Sequence, residues 1–345
     1  MERIVSLQYL RAFAALAVVA FHAMEGTQTR FLVGAAGVDV FFVISGFIMG
    51  LLIAQPDSEP SAFLWRRVIR IVPLYWALTI LAFLIAIAAP ALLPKVDPTL
   101  ANLVLSLLFI PHGSATGVAP VLEQGWSLEY EMAFYLICAC VMALAAPARR
   151  IGAAAGVLAA LALVAVVARP QVNAAAIYAS ASLIEFIAGL ALAALWRRGR
   201  MGGAVAGGAA LVGGLVAFSV QAIVAVPPGL IQALAWGVPA IGVVYGALAL
   251  ERAGRMPTFG PGLALGDASY ALYLAHTFVI AVVVANLPDL NGPARLLVCS
   301  CISVAVALGL YQSVERPLHE RLKRLPPWGR APLPISEGAG SVRRP

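Results

Sequence analysis

Seven titratable side chains stand inside apolar runs of this sequence: Arg11, His22, Asp39, Glu129, Glu131, Glu185 and His276. Three more arginines, Arg66, Arg67 and Arg70, cluster in SAFLWRRVIRIVPLYW. Ionisable groups among apolar residues are costly, so each is a functional candidate by default. Two chemistries are represented. An imidazole beside a carboxylate can take a proton from a hydroxyl, because histidine titrates near neutrality and a carboxylate orients the ring and stabilises its cation. Guanidinium forks on one helix face can hold phosphates.

Spacing sharpens this. Arg11 and His22 are eleven residues apart. On a helix that is about 20° past three full turns, with about 16 Å between them along the axis. Both point from one face, and a slender ligand with an anionic head could touch both. Singly, Arg11 also fits a snorkelling arginine and His22 a satisfied core histidine. Asp39, in GVDVFFVISGF, opens the next apolar run at a depth similar to His22. A His22–Asp39 pair is expected, alongside a helix-dipole role for Asp39. Arg67 and Arg70 share a helix face, as do Arg66 and Arg70. Plain anchoring at a membrane edge is the competing reading.

In GWSLEYEMAFYL, Glu129 and Glu131 are too close in sequence to share a face. Glu131 lies deeper and can reach an arginine, a histidine or a substrate hydroxyl, while Trp126 fits an interface aromatic. SYALYLAHTF offers Tyr270, Tyr273 and His276 for an acceptor or acyl pocket. Glu185 is expected to be structural, and His112 and His319 to stand apart from any constellation. The catalytic candidates are therefore His22, Asp39 and Glu131, and the anion-binding ones Arg11, Arg66, Arg67 and Arg70.

These residues must be positioned by membrane helices. Of 345 residues, 62% are hydrophobic and 11% charged, with mean hydropathy +0.93. Soluble domains carry about 25% charged residues. Apolar runs predict ten spans at 4–24, 38–54, 73–91, 127–146, 151–168, 176–195, 203–225, 229–250, 268–286 and 295–313. No gap between them is long enough for a soluble catalytic domain. The first run carries Arg11 and is followed by nine others, so it is expected to remain as an uncleaved helix. The segment 100–111 would rise only about 18 Å against about 30 Å of hydrocarbon, so it is expected to be re-entrant or a half-helix. The expected class is thus all-α and polytopic.

The net charge of +7 comes from 21 arginines and two lysines. With the N-terminus in the cytoplasm and ten alternating spans, 19 of these 23 residues fall on the cytoplasmic side. That bias satisfies the positive-inside rule, places both termini in the cytoplasm and removes nucleic acid as the explanation of the charge. The membrane domain is expected over 1–313, with a basic, proline-rich, partly disordered tail over 314–345. Cys138/Cys140 and Cys299/Cys301 are two apart within apolar runs, which suits buried thiols and not a metal site. Gly46-x-x-x-Gly50 and the Gly/Ala-rich stretch 203–214 signal close helix packing.

Six stretches, LQYLRAFAALAVVAFHA, GVDVFFVISGFIM, RRVIRIVPLYW, GWSLEYEMAFY, SYALYLAH and VERP, follow one another from residue 7 to 317. In this order they resemble the membrane-bound acyltransferase-3 family, O-acyltransferases of bacterial surface glycans, and within it the exopolysaccharide-modifying, ExoZ-like branch. One position departs: many members carry two adjacent acids in the WSL segment, whereas here Met132 follows Glu131. The resemblance implies transfer of an acyl group, most simply acetyl, from cytoplasmic acyl-CoA to a hydroxyl of a polysaccharide or lipid-linked oligosaccharide, in the bacterial inner membrane. It implies no permanently bound cofactor, acyl-CoA being a co-substrate. His22 would act as general base oriented by Asp39, with an acyl-histidine route also open. The competing class is a flippase for lipid-linked glycan. It would favour paired broken spans in two repeats, and only one short segment is present.

Overall fold

The computed structural model describes residues 3–27, 31–113, 120–168, 182–221 and 230–325. All regular structure among them is helical. The principal elements are α1 (Val5–Met24), α2 (Gly37–Ile53), α3 (Pro60–Ala88), α4 (Leu100–Leu107), α5 (Gly125–Leu144), α6 (Arg150–Ala168) and α7 (Leu183–Arg197). They continue with α8 (Ala204–Gln221), α9 (Leu230–Arg252), α10 (Gly260–Asp267), α11 (Ser269–Asn286), α12 (Gly292–Leu310) and α13 (Arg316–Leu322). Nine helical stretches among the described residues are long and apolar enough to cross a membrane. The sixth expected span, 176–195, lies partly outside the described residues, and its described part is α7. The last twenty residues of the expected tail, 326–345, also lie outside them.

Three boundaries differ from the sequence expectation. The third span begins at Pro60 and not near 73, so Arg66, Arg67 and Arg70 stand within the helix, and Pro73 is internal to it. An internal proline removes one backbone donor, which neighbouring helices and local adjustment can accommodate in a bundle. The final span does not stop at 313. A π-helical turn, Tyr311–Glu315, joins α12 to α13, so the expected domain boundary falls inside a continuous helical stretch. The short segment is an eight-residue helix, α4, rising about 12 Å. Tyr75 OH donates to Ser106 O at 3.1 Å and Trp76 Nε1 to Leu107 O at 2.8 Å, tying α4 to α3. His112 is not isolated, since it bonds Asn102 of α4.

Helix α1 is the hub. It packs against α2, α9, α10, α11 and α12. Its free N-terminal amides are satisfied from another helix: Val5 N and Ser6 N donate to the Glu251 carboxylate at 3.0 and 2.7 Å. A carboxylate there also meets the positive end of the helix dipole. Arg3 pairs with Asp267 at 2.9 Å and docks α10 beside α1. Arg150, one of the 19 basic residues expected on the cytoplasmic side, is only 7% exposed. It donates to Ile53 O and Met142 O, both at 3.2 Å, and so terminates α2 and α5 together.

The small residues make two close crossings. A Cβ on Gly46 of α2 would lie 2.3 Å from Phe186 O of α7, and one on Gly189 would lie 2.3 Å from Val43 O. In the same way, Gly246 of α9 sits against Leu211 N and Gly207 O of α8. Backbones this close leave no room for a side chain. Gly189→Val is therefore expected to lower stability by roughly 1–3 kcal/mol or more. Gly156→Ala, placed in open space, should change little. Thermal unfolding of the purified variants in detergent checks this contrast.

Candidate active site

Helix α1 carries Arg11 and His22 on one face, as the spacing requires, but they open onto two different cavities. The first cavity, of about 110 Å³, lies at the Arg11 level. Arg11 enters it from α1, Arg67 and Arg70 from α3, Glu131 from α5, and Tyr270 and Tyr273 from α11. None of the three arginines has a carboxylate oxygen within 4.0 Å among the described residues. The Arg67 Nε is buried and without a hydrogen-bond partner. Arg66, one residue away, is exposed and does not line this cavity. A helix can turn Arg67 and Arg70 to one side together, and that rotation carries Arg66 outward.

Glu131 serves this arginine cavity and not His22. Its Oε1 accepts from Ser45 Oγ at 3.0 Å and from the Tyr135 hydroxyl. Tyr270 OH donates to Ile71 O at 2.7 Å, fixing α11 against α3. Tyr273 OH bonds Ser127 Oγ at 2.7 Å, and its ring packs on Phe41 and toward His276. Tyr273 therefore stands between the arginines and the histidines.

The second cavity, of about 400 Å³, contains His22. Glu25, Lys95, Glu123, Thr277 and Arg295 also line it. The His22 ring lies 4.9 Å, centroid to centroid, from that of His276. His22 Nδ1 stands 3.0 Å from Val18 O and 3.2 Å from His276 Nε2, and His276 Nδ1 stands 3.2 Å from Leu272 O. The acceptors assign the protons, since a carbonyl oxygen cannot donate. His276 Nδ1–H donates to Leu272 O, which leaves a lone pair on its Nε2. His22 Nδ1–H faces that lone pair and Val18 O. The lone pair of neutral His22 is then on Nε2, the nitrogen without a protein donor or acceptor in the described structure. This is the arrangement of a base whose tautomer is set by its neighbours.

The expected His22–Asp39 pair does not form. A 3₁₀ turn over Leu32–Ala36 carries the chain inward before α2 starts, and Gly37 packs on Ala14 O. Ala14 is eight residues below His22, about 12 Å along α1. Asp39 is thus too deep to reach the imidazole, and its carboxyl hydrogen-bonds that of Glu185 on α7. Trp126 is 38% exposed, packs edge-on against Phe42 and Tyr130, and lines neither cavity. His276, expected in an acceptor pocket, is fully buried against His22. Cys138 and Cys299 are buried and Cys140 and Cys301 exposed, so neither C-x-C pair shares a face.

Sequence reading passed over several residues. Tyr135 is one helical turn from Glu131, a spacing that was visible. Ser45 reaches Glu131 across helices, and nothing in the sequence announces that. Glu315, in the π turn, is 8% exposed and close enough to Arg11 and Arg70 for their charges to interact. Its place in VERP gives no sign of those partners.

The profile of the acyltransferase-3 family, described as an acyltransferase domain, matches residues 4–312. The chain belongs to the acyltransferase-3 family. It is 36% identical to the exopolysaccharide production protein ExoZ of Rhizobium meliloti (strain 1021), over 87% of this chain and 94% of that protein. It is 29% identical to the acyltransferase MdmB of Streptomyces mycarofaciens, over 99% of this chain and 98% of that one. A shorter match, 28% identical over 38% of this chain and 23% of the relative, reaches the peptidoglycan O-acetyltransferase OatA of Listeria monocytogenes. No solved structure matches significantly. This acyltransferase-3 protein is therefore a transferase of acyl groups built as a multi-pass membrane bundle, with Arg11, Arg67 and Arg70 on one cavity and His22 on another.

Proposed function

We propose that this protein moves an acyl group, acetyl being the simplest, from acyl-CoA to a hydroxyl of a cell-surface or exopolysaccharide sugar. It works in the bacterial cytoplasmic membrane with both termini in the cytoplasm. The carrying observation is the arginine cavity: three guanidinium groups without a carboxylate at ion-pair distance among the described residues, one of which, Arg11, shares its face of α1 with the His22 imidazole and its free lone pair. The similarity to ExoZ and OatA supports a polysaccharide acceptor.

The chemistry follows from that layout. Phosphates of acyl-CoA meet Arg11, Arg67 and Arg70. The pantetheine arm extends along α1 past Tyr273 toward His22. An acceptor hydroxyl in the second cavity gives its proton to His22 Nε2 while its oxygen attacks the thioester carbonyl carbon. The C–S bond breaks, the ester forms, and the proton on His22 passes to the departing thiolate. One imidazole nitrogen that takes the proton and returns it serves both transfers. Neither the arginines nor the imidazole require a bound metal or permanent cofactor for these steps. Asp39 and Glu185 hold α2 to α7 and contribute through packing.

Transfer of labelled acetyl from acetyl-CoA to purified exopolysaccharide by the detergent-purified protein tests this reading. Arg70→Ala and Arg67→Ala should each raise the KM for acetyl-CoA by about tenfold or more, because a charge-assisted hydrogen bond contributes about 1.5–3 kcal/mol. An unchanged KM with only reduced membrane insertion would reassign the cluster to anchoring. No acetyl transfer or hydrolysis by wild-type protein would overturn the transferase reading.

A further inference from the structure

The histidine cavity carries a charge the proposed reaction does not use. Among the described residues, its charged side chains are Glu25, Lys95, Glu123 and Arg295. Lys95 pairs with Glu25 and stands within charge range of Glu123. Its Nζ donates to Glu25 Oε1 at 2.8 Å, and Glu123 adds a second negative charge beside it. These neighbours push the Lys95 ammonium above the usual lysine range. Arg295, on the first turn of α12, has no carboxylate oxygen within 4.0 Å among the described residues. Its Nε is buried without a hydrogen-bond partner. A half-buried guanidinium in that state is costly unless an anion completes it.

Arg295 shares its cavity with His22, and about 400 Å³ is within the range of small-ligand sites. Thr277 adds a hydroxyl to the wall. The arginine cavity cannot supply the missing anion, since Arg295 does not line it. We propose that the acceptor is anionic, and that Arg295 holds its carboxylate or phosphate group while the hydroxyl to be acylated faces His22. This inference rests on the transferase reading and extends it to the acceptor. The anion is a sugar carboxylate or the diphosphate of a lipid-linked glycan. Both offer planar or tetrahedral oxygens to a guanidinium fork.

Binding to full-length protein in detergent, with CoA present, tests it on two matched probe pairs. One pair is a glucose tetrasaccharide and the same tetrasaccharide ending in glucuronate. The other is an undecaprenyl glucoside without phosphate and undecaprenyl diphosphate-linked glucose. One anionic probe is expected to bind about tenfold or more tightly than its neutral match. The pair that shows this identifies the source of the anion. Arg295→Gln should remove the advantage, and Arg295→Lys should restore most of it and control for folding. Equal affinity within both pairs in wild-type protein overturns the proposal without any variant. So does an advantage that survives Arg295→Gln. Acetyl-CoA turnover is measured in the same samples. Its absence overturns the transferase reading alone, and leaves an Arg295-dependent preference standing.

Discussion

His22→Ala is expected to reduce acyl transfer by about 10²–10⁴-fold while the protein stays folded and inserted. The variant removes the nitrogen that receives the acceptor proton. Without it the hydroxyl must attack as a neutral oxygen, or lose its proton to water. Binding of acyl-CoA should persist, because Arg11, Arg67 and Arg70 line a separate cavity that does not include His22. The structural cost is confined to His276 Nε2, which loses its donor at 3.2 Å. A lost buried hydrogen bond costs about 1–3 kcal/mol, small enough for the bundle to remain assembled. The check pairs acetyl transfer with acetyl-CoA binding in the same purified sample. Transfer within a few-fold of wild type would remove His22 from catalysis. Loss of both binding and folded protein would assign it to structure.

His276→Leu is expected to lower kcat by about 10–100-fold with little change in KM for acetyl-CoA. His276 does not reach either substrate in the proposed reaction, so it is a positioning residue. Its Nε2 lone pair and Val18 O both accept from His22 Nδ1–H, which keeps Nε2 of His22 free and aims it into the cavity. The same two acceptors stabilise the imidazolium that forms when His22 takes the proton. Leucine fills the space but accepts nothing. His276→Gln puts an amide oxygen near the same place and should recover much of the loss. A packing role would not distinguish the two variants, since each fills the site. Steady-state kinetics of both decide the matter. Equal kcat for Leu and Gln, or a change confined to KM, would remove the positioning role.

The distribution of hydrophobic and charged residues was enough to read the class of this molecule. Period and length alone place most of the membrane helices, because an apolar run of about 20 residues has one stable arrangement in a bilayer. Properties confined to one helix were legible too. The shared face of Arg11 and His22, and of Arg67 and Arg70, follows from 3.6 residues per turn. The close crossings at Gly46 and Gly189 were partly legible in the same way, since small residues four apart show on one helix without naming the other.

What lay between helices was not legible. Chain proximity and similar depth predict a His22–Asp39 pair. A five-residue 3₁₀ turn changed that depth, and the imidazole met His276, 254 residues away in the chain. Arg66 and Arg67 are indistinguishable as residue types, yet only Arg67 faces the cavity, because the register of α3 starts at Pro60. Nothing in the sequence marks Arg295 apart from its neighbours, and its lack of an ion-pair partner among the described residues emerges only from the packed structure. Helical period determines the face of a side chain. Rotation, depth and neighbours are decided by packing among helices far apart in sequence, and a linear pattern carries no coordinate for these.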